Sequence, residues 1–378
     1  MSYLWLYVNL RYSNSLPAGP GFVKVRFMNE PSTALSLREI DILFSPFYHR
    51  KLALRSRLVM APLPRLFAVD GVPTTEMLNY YTRRAAHMLG LVVTEPVAVN
   101  DAAAATDAGM ARFYGGVALR AWKSICRAVH AEHCSIAPQL CHVGMLRPAG
   151  DGATPIGPSG VNPQTLEITG EAMSRGRIRE VVRAFGEAAH AARLLGFDAV
   201  EINGGHACLI DQFLRGKTNL RTDEYGGELP SRVRFACEVV HAVRKMVGRR
   251  YPVIFRFTQQ TDSDLLGELV GSPAELEALV QPLCEAGVDI FACAGQKVHA
   301  PAFAGSPLSL AGWTRILSRR PVITDGGVGL PGCRLDWLAR QLNAGEFDLL
   351  AVGRALLADA EWGSKVRAGR EREIRPFC

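Results

Sequence analysis

Two glycine turns, one arginine and a short loop hold the residues of this 378-residue chain whose types and spacing could do chemistry. The turns are Gly326-Gly327, at the end of the run PVITDGG, and Gly353-Arg354, at the end of FDLLAVGR. Glycine lets a backbone approach a ligand closely, a helix that starts there points N–H groups at it, and a guanidinium adds a fork of donors for phosphate oxygens. Either turn alone reads as a tight turn with a surface arginine; together they point to a phosphate-bearing ligand. Arg256 lies inside the apolar run YPVIFRFT. A guanidinium buried there needs an anion, either a bound one or a structural partner such as Glu201 or Asp289. The loop Asn203-Gly-Gly-His206-Ala-Cys208 sets an amide, an imidazole and a thiol close together. All three are groups that hydrogen-bond or carry a proton. Cys141, His142, His206 and Cys208 could instead converge on a metal, which metal content would decide.

These groups need a scaffold that brings distant segments to one place. From residue 56 onward, β-like runs alternate with helix-like runs. The strand signals fall at 56–62, 90–96, 135–140, 197–203, 251–258, 288–294, 321–327 and 347–354. The helix signals fall at 74–89, 116–133, 177–195, 231–247, 273–287, 310–319, 334–345 and 358–369. Within 177–195, Ile178, Val181, Val182, Phe185, Ala189 and Ala192 recur at helical spacing. Strands joined by helices imply a parallel sheet, and eight such pairs in roughly 300 residues fit an α/β fold of the closed (β/α)8 TIM-barrel type, in a single domain. An open doubly wound sheet is disfavoured, because no GxGxxG follows the first strand. In a barrel every group named above stands at the C-terminal end of a strand, where active sites of this fold lie. Residues 1–35 show no apolar periodicity and read as a poorly ordered tail before the barrel at 36–378. Met28 offers an alternative start that would make residues 1–27 dispensable.

Composition narrows the function classes. A hydrophobic share of 48% with 21% charged residues is that of a soluble globular protein, with no run of the length a membrane helix needs. The apolar opening MSYLWLYVNL lacks a basic start and a cleavage signal, which points to the cytoplasm. The net charge of +7 is dispersed, without a basic block that would suggest nucleic acid. The nine cysteines include no CxxC, which argues against a zinc ribbon, an iron–sulfur cluster or a disulfide framework. The expected partner is a small-molecule substrate, and a homo-oligomer is compatible with the sequence.

The stretch from Asn203 through Asp211-Gln-Phe-Leu to Thr218-Asn-Leu-Arg-Thr-Asp-Glu-Tyr-Gly-Gly227 closely resembles the old yellow enzyme pattern His-x-x-His/Asn-Gly-Tyr-Leu-x-x-Gln-Phe-Leu followed by Asn-x-Arg-x-Asp-x-Tyr-Gly-Gly. The resemblance covers roughly residues 43–375 and includes MAPLPR (60–65), NYYTRRA (79–85), PQLCHVG (138–144), RFTQQ (256–260) and AVGRALLADAEW (351–362). The ending GREREIRPFC is similar to the sequence that runs into an iron–sulfur segment in dienoyl-CoA reductase relatives, and the chain as given stops at Cys378.

The resemblance implies FMN across the barrel mouth, with NADH or NADPH as reductant and an activated C=C as acceptor. One phosphate site without a dinucleotide fingerprint agrees with FMN rather than FAD. By the resemblance, Ala61, Pro62, Leu63, Pro64 and Pro96 contact the flavin ring, and Gln139 bonds its pyrimidine end. Arg256 faces the side that gains negative charge, and Gly326, Gly327, Gly353 and Arg354 hold the phosphate. Asn203 and His206 match the family's pair of substrate-oxygen donors, with the residue types exchanged. Three departures bear on the substrate. The family's proton-donating tyrosine is Cys208 here, and morphinone reductase is similar in carrying cysteine there. The flavin-tuning Thr or Cys is Pro64, which has no donor. The family's tryptophan is Cys141, which widens the substrate pocket that Leu66 also lines. A redox-neutral or dehydrogenating flavoenzyme, or a flavin-binding protein without turnover, are the alternatives that these departures leave open.

Overall fold

The computed structural model describes residues 39–150, 152–260, 264–295 and 297–377; the expected tail at 1–35 lies outside them. Eight parallel strands close into a barrel in chain order: β1 Leu58–Met60, β2 Leu91–Ala98, β3 Ser135–Cys141, β4 Val200–Asn203, β5 Val253–Thr258, β6 Ile290–Ala294, β7 Val322–Asp325 and β8 Leu349–Val352. The helices packed outside are α1 Thr75–Ala85, α2 Gly116–Ala131, α3 Arg175–Leu195, α4 Arg234–Val247, α5 Pro273–Ala286, α6 Leu310–Ser318, α7 Leu335–Asn343 and α8 Trp362–Arg367. This is the (β/α)8 barrel that the alternation of runs predicts.

Helix starts follow local chemistry. Thr74, Ser174, Ser272 and Ser309 each accept a hydrogen bond from the backbone N–H three residues on, which satisfies a donor that the first turn leaves open. Alternate strand residues point inward. Val59, Val93, Ala137, Ala199, Ile254, Ala292, Ile323 and Ala351 form an apolar barrel interior separate from the strand–helix layer. Phe47, Leu52 and Leu54 of a hairpin, Phe47–His49 paired antiparallel with Leu52–Leu54, join that interior cluster. The hairpin leads straight into β1, so it plugs the end of the barrel opposite the strand C-termini. The helix expected at 358–369 is the shorter α8, and a separate short helix, Arg354–Ala358, precedes it. Between them Asp359 is extended, and its carboxylate accepts from the backbone N–H of Glu361 and Arg375 and from Lys365 Nζ at 2.7 Å.

Below the barrel, His130 of α2 pairs with Asp198 at 2.8 Å, and Asp198 also accepts from the Ile136 N–H at the start of β3. The bond to Asp198 holds the imidazolium form well above its usual range. A raised folded pKa adds stability that is fully present below the unfolded value of 6.5 and is lost as pH rises past it. The melting temperature is therefore expected to fall between pH 7 and 10 more steeply in the wild type than in His130→Gln. Parallel curves for the two proteins would remove this pair from the pH response.

Candidate active site

The interior changes character one layer from the strand C-termini. Gln139 of β3, Glu201 of β4 and Arg256 of β5 point inward there and are almost fully buried. Gln139 Nε2 and Arg256 Nε both donate to Glu201 Oε1 at 2.7 Å, and Arg256 Nη1 donates to Asp325 Oδ2 of β7 at 3.0 Å. The two carboxylates keep the buried guanidinium charged against the cost of desolvation. Glu201 is thus the structural partner considered for Arg256, whereas Asp289 pairs with Arg50 and Arg244 instead. Two atoms of this layer remain buried without a protein partner, Arg256 Nη2 and Glu201 Oε2. A buried donor of this kind calls for a ligand or water.

Above it stands the loop after β4. Gly204 and Gly205 let this loop lie against β5, since a Cβ on Gly204 would fall 2.4 Å from the Phe255 ring and one on Gly205 2.9 Å from Thr258 Cγ2. His206 and Ala207 then take left-handed backbone angles, φ 55° and 56°. Thr258 Oγ1 accepts from the His206 N–H, and Asp211 Oδ2 accepts from the Ala207 N–H at 2.8 Å. Non-glycine residues in this region carry strain, and such turns cluster at functional sites. The turn places Asn203, buried, and His206, exposed, on the same short loop. Asn203 Oδ1 accepts from the Gly205 N–H, so its amide nitrogen faces the Cys141 and Cys208 sulfurs at 3.5 Å each. The two sulfurs are 3.6 Å apart. The contact with Cys141, followed by burial, pushes the Cys208 thiol well above its usual range, so it keeps its proton at neutral pH.

The loop after β1 runs from Ala61 to Leu66. Pro62 and Leu63 are half-buried, and Pro64 and Leu66 are exposed. Glu95 fixes it: Oε2 accepts from the N–H groups of Arg65 and Leu66 at 3.0 and 3.1 Å, and Oε1 accepts from the Tyr81 hydroxyl. Burial raises the Glu95 pKa. Between Val93 and Pro96 the pairing of β2 with β3 shifts register, a bulge that re-aims the chain at Pro96. On the far side of the mouth, Gly326 has φ 133°, and a Cβ there would fall 2.8 Å from Gly295 O and Val298 N. Gly353 precedes the short helix that begins at the exposed Arg354, and a Cβ on it would meet Ala61 and Leu63 at 3.5 Å. The two glycine turns and the β1 loop therefore frame one mouth.

The metal alternative does not take shape among the described residues, where no cluster of three or more His, Cys, Asp or Glu is arranged for an ion. His142 turns from the thiols toward Asp101, 3.3 Å away, and burial keeps it neutral. Asp325 and Thr258 carry site geometry that spacing alone did not single out, and Asp211, which stands in the loop after β4, carries a role there that spacing did not assign. The Asp211/Arg215 spacing was a usable signal for that pairing, because four residues apart is the helical ion-pair distance.

A closed parallel barrel whose mouth is framed by two glycine turns and the β1 loop, with a buried arginine in its upper layer, is a fold and site that comparison with known proteins can place. Residues 42–373 match the NADH:flavin oxidoreductase / NADH oxidase family, and the chain belongs to it. The family is one of flavin-dependent proteins that bind FMN and use NAD(P)H. The chain is 31% identical over 344 residues to an NADH oxidase of Thermoanaerobacter brockii, covering 88% of this chain and 52% of that protein. It is 30% identical over 325 residues to an NADPH dehydrogenase of Bacillus subtilis (strain 168), covering 84% and 91%. A structure of morphinone reductase in complex with tetrahydroNAD superposes with a TM-score of 0.74 at 28% identity, covering 87% of this chain and 91% of that one. The chain spans about half the length of the first curated relatives it matches. No helix among the described residues is long and apolar enough to cross a membrane.

The residues present fit FMN. Arg256 Nη2 is a buried donor without a protein partner, in the layer just below the mouth where the chemistry of an anionic flavin edge would satisfy it.

Proposed function

We propose that this chain is an ene-reductase that moves reducing equivalents from NADH or NADPH, by way of FMN, to the activated C=C of an enone-like small molecule. The observation that carries the reading is the Asn203 amide, buried at the mouth with its nitrogen aimed at two weak sulfur acceptors. When bound, FMN supplies hydride exchange with the nicotinamide and with the alkene β-carbon. Ala61, Pro62, Leu63, Pro64 and Pro96 would line its ring, and Gln139 and Arg256 would stand toward its pyrimidine end. Gly326, Gly327, Gly353 and Arg354 would hold its phosphate. Asn203 and His206 would bind the substrate carbonyl, and both bonds would strengthen as that oxygen becomes anionic. Cys208, still protonated at neutral pH, would give its proton to the α-carbon. Cys141 and Leu66 would shape the pocket beside it.

The test is the visible spectrum of purified protein under nitrogen. NADH or NADPH is expected to bleach the flavin, and cyclohexenone to restore it. Bleaching without recovery by any enone would favour a dehydrogenating or redox-neutral enzyme, and no bleaching by either nucleotide would leave a binding protein. Removing the Arg354 guanidinium deletes a charge-assisted bond of about 1.5–3 kcal/mol. Arg354→Ala is therefore expected to bind FMN roughly 10- to 150-fold more weakly by fluorescence titration. Unchanged affinity would take Arg354 out of the phosphate corner.

A further inference from the structure

Cys141 closes β3 and Cys208 precedes the helix Leu209–Leu214, yet their sulfurs meet at 3.6 Å. No other pair of described cysteines makes a sulfur–sulfur contact of hydrogen-bond length. The backbones that carry them are already tied, since the Leu209 N–H donates to His142 O at 2.9 Å, one residue beyond each cysteine. The Cys208 N–H is held in turn by Gly205 O. Closing the sulfurs to the roughly 2.05 Å of a disulfide then asks for side-chain rotation rather than movement of the barrel. The two thiols differ in access: Cys141 is fully buried and Cys208 is 7% exposed, on the side of the mouth. The Asn203 amide nitrogen, 3.5 Å from both, is placed to stabilise negative charge on either sulfur.

The geometry points to Cys141 and Cys208 as a redox-active dithiol, oxidised by a hydroperoxide to an intramolecular disulfide and restored by a dithiol reductant. Cys208, with its edge toward the mouth, attacks the peroxide. A sulfur–oxygen bond forms, the oxygen–oxygen bond breaks, and the thiol proton leaves with the departing alcohol or water. Cys141 then attacks the Cys208 sulfenic acid; the sulfur–sulfur bond forms, the sulfur–oxygen bond breaks and water departs. In sum, two thiols lose two electrons and two protons, and one hydroperoxide becomes one alcohol and one water. A dithiol reductant reverses the step through a mixed disulfide. The high pKa of Cys208 makes the resting pair slow to react, so oxidation is expected under sustained peroxide rather than on brief exposure. Oxidation would take the proton from Cys208 and draw both sulfurs away from the Asn203 amide.

The inference rests on the sulfur geometry and not on the ene-reductase reading. The test uses the full-length, FMN-loaded protein, exposed to hydrogen peroxide, denatured in iodoacetamide, digested and mapped by mass spectrometry. A cross-linked peptide pair that holds Cys141 and Cys208, lighter by two hydrogens than the separate peptides and lost on dithiothreitol treatment, is expected. In Cys141→Ser, where the resolving thiol is gone, dimedone is expected to trap a sulfenic acid at Cys208. The inference fails if the wild type yields Cys141 and Cys208 as separately alkylated peptides while the half-buried Cys237 and Cys284 are oxidised. It fails equally if Cys208 passes to sulfinic acid with no cross-link. The wild-type map decides the matter even where the serine variant does not fold.

Discussion

Asn203→Ala is expected to slow alkene reduction by about 10²–10³-fold, the usual cost of one preorganised oxyanion donor, while FMN binding and flavin bleaching by NADH or NADPH remain. The reason lies in how the amide is held. Its oxygen accepts from the Gly205 N–H, which fixes which way the group faces, and its nitrogen is left with two sulfurs as acceptors. Thiol sulfur is a weak acceptor. An oxygen that becomes anionic during hydride arrival would replace those contacts with a much stronger one, so the gain falls in the transition state rather than the ground state. His206→Ala, which removes the second donor, is expected to act on the same half-reaction. Cys208→Ala is expected to cost less, because water can deliver a proton but cannot replace a fixed donor. Stopped-flow measurement of the two half-reactions separates these effects. If Asn203→Ala and His206→Ala both reoxidise with an enone at the wild-type rate, the oxygen-binding pair is elsewhere. Loss confined to Cys208→Ala would move the chemistry to the thiol.

Much of the barrel was legible because its signals are local. Strand runs such as FDAVEIN and helix runs such as 273–287 are set by neighbours in sequence, and they fall where the alternation placed them, while the helix expected from 177 starts two residues earlier because Ser174 caps it. The hairpin that plugs the barrel was missed. Its strands, Phe47–His49 and Leu52–Leu54, are three residues each, too short for periodicity to stand out, and their value lies in an apolar cluster shared with residues such as Ile254 and Ala292 far along the chain. The site divides in the same way. Glycine turns and the Asn203 loop could be read from residue types. The partner of Arg256 could not, because Glu201, Asp325 and Asp289 are all acids near strand ends, and only the closed barrel selects the first two. The stretch between Cys208 and Gly227 carries the family resemblance without showing what each residue does. In the structure most of its polar residues bond backbone: Gln212 Nε2 donates to Val143 O and Ala207 O, Thr218 to Gln212 O, and Asn219 to Phe213 O and Tyr225 O. Buried polar side chains must find partners, and here the partners are the carbonyls of an irregular loop.

That loop depends most on one ion pair, and Asp211→Ala is expected to cost about 3–5 kcal/mol of stability, the range for removing one partner of a buried salt bridge. Asp211 and Arg215 are both almost fully buried and meet at 2.9 Å. Arg215 also donates to Gly267 O at 2.8 Å and Thr258 O at 3.0 Å, which ties the loop after β4 to the end of β5. Without the carboxylate, those bonds would hold a buried guanidinium with no counter-charge. The second oxygen of Asp211 accepts from the Ala207 N–H, so the substitution also releases the left-handed turn that sets His206 and Cys208. Two readouts should move together: the urea midpoint, through the unpaired charge, and alkene reduction in the surviving folded protein, through the loosened turn. Asp211→Asn separates them. An asparagine oxygen can still accept from the Ala207 N–H while the charge is gone, so the variant is expected to lose stability but keep more of the alkene half-reaction than Asp211→Ala. Equal losses of rate in the two variants would show that Asp211 acts through its charge alone. A stability loss under about 1 kcal/mol in Asp211→Ala would place Arg215 in contact with water and outside the buried-pair range.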